Sequence, residues 1–216
     1  MKRFLTFAAA CIAVIPLAHA SEISFQTRFS GLPSYSDANS LRAAVESLMA
    51  APPSAGYCDA APSAWSGLSN QATCGGGAYN MAFRIGANFS VGAAEAGLWN
   101  FRVGPDFGLG GALFIDGTAV DYDTSDLWWA GSYGNTSELL TASINLAAGN
   151  HEIVAYGFEY CCDGAQQAQF LAYNSREWVV FGADDGHDPS SVPEPGTLAL
   201  LGLSLAGLAT ARRRRG

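Results

Sequence analysis

The chain has 216 residues, about one domain's worth once its ends are set aside. With 49% hydrophobic and 12% aromatic residues against 14% charged, it is too apolar to remain disordered, and its 25 glycines point to strands and turns rather than a helical bundle. Residues 21 to 191 hold five basic side chains, all arginine, against eighteen acidic ones, a net of −13 that excludes nucleic acid as a partner.

Lys2 and Arg3 precede an apolar run from Phe4 to Leu17, and Ala18-His19-Ala20 supplies the small residues of a signal-peptidase site. Residues 1–20 are therefore expected to be a secretory signal peptide, helical in the membrane and absent from the mature fold. Ile23, Phe25, Thr27 and Phe29 alternate with polar neighbours as one half-buried strand. The period then changes: Leu41, Val45, Leu48 and Met49 share a helical face, and Asp37 to Ser40 offer an N-terminal cap, so residues 37–50 predict one short helix.

Residues 51–77 read as a long loop that needs a staple, with Cys58 and Cys74 inside it. Alternating apolar runs follow at Met81-Phe83-Ile85, Trp99-Phe101-Val103 and Leu140-Ala142-Ile144-Leu146. Asp116-Gly117 and Asp163-Gly164 carry two-residue hairpin signals. Residues 152–160 are apolar on both faces, as a central strand between two sheets would be, and Trp178 to Phe181 close the domain. Many short strands with little helix predict a mainly β fold, an antiparallel β-sandwich over residues 21–182.

Asp184, Asp185, His187 and Asp188 make residues 183–191 an acidic spacer. Val192-Pro193-Glu194-Pro195 then opens a charge-free apolar segment, Gly196 to Ala211, which ends in Arg212, Arg213, Arg214 and Arg215. Sixteen helical residues at about 1.5 Å each give about 24 Å, short of a hydrocarbon core of about 30 Å, which suits a transient transmembrane helix in the inner membrane. The four arginines act as a membrane stop on the cytoplasmic side, leaving the middle of the chain outside.

Removal of the signal segment takes Cys11 and leaves Cys58, Cys74, Cys161 and Cys162, an even number in an oxidising compartment. Three pairings are open. Adjacent strand side chains point to opposite faces, so Cys161 and Cys162 are expected to bridge outward, one to Cys58 and one to Cys74. Zinc is the rival use of four cysteines, but no C-x-x-C half is present.

Asp121, Asp123 and Asp126 are hard-oxygen candidates for calcium, although no EF-hand pattern surrounds them. Trp128 and Trp129 lie beside them, and with Asp106 and Asp116 they form the candidate glycan-binding set, since sugars stack C–H faces on exposed rings beside carboxylates. No nucleophile elbow, zinc-protease motif or phosphate loop is present, so no catalytic residue is assigned and the expectation is a protein that is not an enzyme. A carboxylate pair for glycoside hydrolysis is the weaker alternative.

Val-Pro-Glu-Pro, the apolar helix and the arginine cluster together resemble the PEP-CTERM sorting signal of Gram-negative bacteria, over residues 192–216. The resemblance implies processing by the membrane protease exosortase and release to the cell surface or exopolysaccharide matrix. Phe101-Arg102-Val103, Asp106, the run from Gly111 to Gly117, Leu146 to His151 and Tyr156 resemble the protective-antigen-type domain, a lectin-like β-sandwich. In its adhesin members two consecutive aspartates bind calcium and bridge it to sugar hydroxyls; here Asp106 is followed by Phe107. With Cys161-Cys162-Asp163-Gly164, the chain is similar to the Cys-Cys-Xaa-Gly family of PEP-CTERM proteins. Two roles follow as expectations: a surface or matrix protein that binds carbohydrate or exopolysaccharide, or a matrix component without a ligand site.

Overall fold

Period-two apolar patterning fixes which side of each strand is dry, and in the computed structural model of this chain it does so for two stacked antiparallel sheets. The structure describes residues 22–31 and 33–183; the expected signal peptide, most of the expected acidic spacer and the expected sorting segment lie outside the described residues. In chain order the elements are β1 (Ile23–Phe29), α1 (Ala38–Met49), β2 (Asp59–Ala60), β3 (Ser66–Leu68), α2 (Asn70–Cys74), β4 (Tyr79–Val91), β5 (Gly97–Gly104), β6 (Asp106–Phe107), β7 (Gly111–Ile115), β8 (Thr118–Asp123), β9 (Leu127–Trp128), β10 (Leu140–Leu146), β11 (Gly149–Cys161), β12 (Gln166–Leu171) and β13 (Val179–Val180). Among the described residues no helix is long and apolar enough to cross a membrane.

The larger sheet runs β2-β1-β4-β11-β7-β8, and the smaller runs β10-β5-β12-β13 with β3 also on β12. Between them Phe25, Phe83, Ile85, Phe89 and Ile153 face Trp99, Phe101, Val103, Phe170 and Phe181, every one of them almost wholly buried. Burial of each such side chain stabilises the fold by roughly 1.5 to 3 kcal/mol. Ring pairs such as Trp99–Phe170, with centroids 5.4 Å apart, add directional packing. Along one side the sheets nearly close, where the Thr141 N–H of β10 donates to the Asp121 carboxylate of β8 at 2.6 Å.

The helix forms as its cap predicts: Asp37 accepts the Ser40 N–H while the Ser40 hydroxyl reaches back to Asp37. Leu41 and Val45 pack on the outer face of the larger sheet with Ala82, Ala112, Phe114, Val154, Tyr156 and Phe158. This explains the doubly apolar run at 152–160. β11 is central in its sheet, but its second face is covered by α1 rather than by another sheet. The second helix, α2, is a single turn inside the segment read as loop, capped by Ser69.

Two further expectations are corrected. At the end of β1 Phe29 is 56% exposed, and its neighbour Arg28 is the buried residue, held by a bidentate pair with Asp59 at 2.7 and 3.0 Å. Asp116-Gly117 does turn a hairpin, with φ of 49° and 75°. Asp163-Gly164 does not: β11 and β12 belong to different sheets, and the segment between them crosses from one to the other.

The disulfides also differ from expectation. Cys58 bonds Cys74, with Cα atoms 5.5 Å apart, and Cys161 bonds Cys162. The local bridge is favoured because the Cys58 carbonyl accepts the Thr27 N–H while Asn70, on α2, accepts the Thr27 hydroxyl, which brings both ends of the loop to β1. Opposite-face alternation fails for the adjacent pair because β11 ends at Cys161, so Cys162 is not a strand residue.

Candidate functional site

At one end of the sandwich β6 pairs β9, and the register sets Asp106 opposite Trp128. Trp128 is 64% exposed, whereas Asp106 is 6% exposed. The Asp106 carboxylate accepts the Gly164 N–H from the segment that crosses between sheets. Glu159, near the end of β11, is equally buried and accepts the N–H groups of Gly108 and Cys161. Asp163 accepts the N–H groups of Asn70 and Gln71 at the start of α2. Beside Gly108 opens a cavity of about 310 Å³ lined by Pro33, Ser34, Tyr35, Gly108, Leu109 and Thr124.

Burial dominates the electrostatics of these acids. It pushes Asp106 up to about 7, with Glu159, Asp163 and Asp126 adding repulsion and the Gly164 N–H opposing the rise. Glu159 and Asp163 are raised by the same burial, against the N–H groups that each accepts. Near neutrality Asp106 is therefore shared between a proton donor and an acceptor beside an exposed indole.

The other expected site residues are divided. Trp129 is buried, its indole lying over Gly104, where any Cβ would collide with it. Only Trp128 of the pair can meet a ligand. Asp116 is not part of this end: it sits at the opposite end of β7, about five strand residues or roughly 17 Å away, paired with His151 at 2.7 Å.

The expected calcium set does not form. Asp121 accepts the Thr141 and Tyr122 N–H groups, and Asp123 accepts the Ser125 N–H and hydroxyl, so each is committed locally. Among the described residues no group of three or more His, Cys, Asp or Glu side chains could hold a metal ion. Phe107, where a second aspartate would be needed, is fully buried against Phe83. The residues present do not fit a calcium cradle.

Glu159 and Asp163 join this end although the sequence expectation does not include them. Glu159 had a signal, being the one acid among the apolar residues from Ile153 to Phe158 and onward. The sequence around Asp163 carries only a turn signal.

Residues 191–215 match the PEP-CTERM protein-sorting motif. It marks the chain for export and for processing at the membrane. The match includes Val192, Pro193, Glu194, Pro195 and the arginines from Arg212 to Arg215, all outside the described residues. Among solved structures the chain is similar to a PA14 sugar-binding domain from an RTX adhesin, with 11% identity, a TM-score of 0.50, and coverage of 79% of this chain and 99% of that one. It is also similar to the PA14 domain of the MpAFP antifreeze protein, at 13% identity and TM-score 0.49, covering 81% and 94%. A third likeness is to the epithelial adhesin 9 A domain of Candida glabrata in complex with Galb1-4GlcNAc, at 10% identity and TM-score 0.46, covering 77% and 89%. The fold is thus a PA14-like, lectin-like β-sandwich. No curated protein matches the chain.

Proposed function

We propose that this is an exosortase-processed protein of the cell surface or exopolysaccharide matrix, of the Cys-Cys-Xaa-Gly type, whose β-sandwich binds carbohydrate and catalyses nothing. Export is implied by the sorting motif. The observation that carries the binding reading is the β6–β9 ladder, which sets the Asp106 carboxyl group opposite an exposed indole. A sugar presents the matching pair of surfaces, hydroxyls on one edge and an apolar C–H face on the other.

The reading uses no cation, so chelation with EDTA is expected to leave binding unchanged. The test is a glycan array followed by calorimetry on the full chain in mild detergent. Trp128→Ala is expected to weaken a neutral-oligosaccharide hit at least tenfold and Asp106→Asn to weaken it several-fold. A folded chain that binds no neutral or acidic oligosaccharide on the array would sink the proposal.

A further inference from the structure

The smaller sheet offers a second surface. Strand alternation turns Trp99, Phe101 and Val103 of β5 into the core and leaves Asn100 and Arg102 on the outer face. The register aligns Thr141 of β10, Arg102 of β5 and Gln169 of β12 in one row, with Ser143 opposite Asn100 in the next. A chain of side-chain hydrogen bonds fixes this face. Arg102 Nε donates to Gln169 Oε1 at 2.8 Å, Gln169 Nε2 donates to Gln167 Oε1 at 2.9 Å, and Gln167 Nε2 donates to the Ser66 hydroxyl at 2.8 Å. The Ser143 hydroxyl donates to Asn100 Oδ1 at 2.6 Å.

Two aromatic rings wall the face. The Arg102 guanidinium lies 4.0 Å from the Tyr133 ring centroid and 4.1 Å from that of Trp178. Together with Asn100, Thr141 and Ser143 these three line a groove of about 280 Å³, at the small end of ligand clefts. No acidic residue lines it.

The charge of Arg102 is what suits the groove to an anionic ligand. In a chain with far more acids than bases, Arg28 is paired with Asp59, and Arg84 with Glu46 and Glu152, while among the described residues Arg42, Arg102 and Arg176 have no ion pair and only Arg102 of these three lines the groove. Among the described residues Arg102 has no carboxylate within ion-pair distance, and neither its Nη1 nor Asn100 Nδ2 has a hydrogen-bond partner. A planar guanidinium already ordered by stacking and by Gln169 loses little entropy when it meets a carboxylate. Beside it stand hydroxyl and amide groups at strand spacing and two apolar ring walls.

We propose that this groove binds a segment of an acidic polysaccharide: a uronate-type carboxylate on Arg102, ring hydroxyls on Asn100, Thr141 and Ser143, and apolar C–H surface against Tyr133 and Trp178. It is a site separate from the Asp106–Trp128 end and deepens the carbohydrate reading by naming a ligand class. The single attractive contact at the guanidinium acts at close range, whereas repulsion from carboxylates more than a Debye length away, about 8 Å at physiological salt, is largely screened.

The test is calorimetry of the full chain in mild detergent with oligogalacturonate and oligomannuronate, against the methyl ester of oligogalacturonate and neutral cello-oligosaccharide. Wild type is expected to bind at least one acidic oligomer, and esterification to weaken it at least tenfold. Arg102→Gln and Trp178→Ala, checked for folding by circular dichroism, are expected to weaken binding tenfold or more, with Arg102→Lys intermediate, while Phe29→Ala, at an exposed ring on the larger sheet, leaves it unchanged. No binding of either uronate oligomer, or equal affinity for the ester, overturns the proposal without needing any variant. Loss of binding in Trp128→Ala but not in Arg102→Gln also overturns it, while leaving the reading of the Asp106–Trp128 end standing.

Discussion

The outer face of the larger sheet carries Ala82, Ala112, Phe114, Val154, Tyr156 and Phe158 and is closed by α1, whereas that of the smaller sheet carries Asn100, Arg102, Gln167, Gln169, Thr141 and Ser143 and is open. Two arginines illustrate the difference, although among the described residues Arg42 of α1 also has no ion pair and rests on Phe114. On the closed face Arg84 is neutralised by Glu46 and Glu152, and the Tyr156 hydroxyl donates to Glu46 at 2.6 Å, tying the helix to the sheet. On the open face Arg102 has only aromatic and amide neighbours. A face finished by its own chain spends its polar groups internally, while a face kept open keeps donors unspent.

The comparison can be broken most directly at the helix. Leu41→Ala removes a wholly buried side chain under α1 and is expected to cost about 3 kcal/mol in denaturant unfolding. A cost below about 1 kcal/mol would mean that the helix is not closing that face. Next, removing the Cys58–Cys74 bridge by Cys58→Ser with Cys74→Ser frees a loop of sequence separation 16 beside the closed sheet and is expected to cost about 3 kcal/mol, read the same way.

The buried acids at the rim give a pH signature. Because the folded-state value of Asp106 lies near 7, above its ordinary value, the folded chain binds more protons between about 4 and about 7. The contribution of Asp106 is therefore present in full below about 4 and lost as pH rises through about 7, with a slope of at most about 1.4 kcal/mol per pH unit. Asp106→Asn, which can still accept the Gly164 N–H, should flatten that slope in melts taken across this range. An unchanged profile would show that Asp106 does not titrate there.

The smallest effect is expected on the open face, where Asn100→Ala should change stability by about 0.5 kcal/mol or less. A loss comparable to that of Leu41→Ala would show that this face is part of the folding core rather than a surface kept for a ligand.

Much of the strand layout was legible because each sheet has a dry side. Met81, Phe83 and Ile85 on β4 and Trp99, Phe101 and Val103 on β5 are buried as their alternation predicts. Reading failed where a residue's neighbour is distant in sequence. Trp128 and Trp129 are identical in type and adjacent in the chain, yet only the placement of Gly104 under one of them decides which is buried. Asp116 looked as suitable as Asp106 for the site, but the length of β7 separates the two. The cysteine pairing is not legible in the sequence because it depends on where β11 ends and on α2, a turn of helix too short to carry a period.

By itself the sequence determined the sorting motif, the excess of acid, the capped helix and the antiparallel sandwich, since these depend on local spacing, composition and periodicity. Only the tertiary structure decided which sheet face the helix would close, which acids would lose water, and which arginines would be left without a counter-charge. Those properties depend on the distance between residues tens of positions apart, and that distance exists only once the chain has folded.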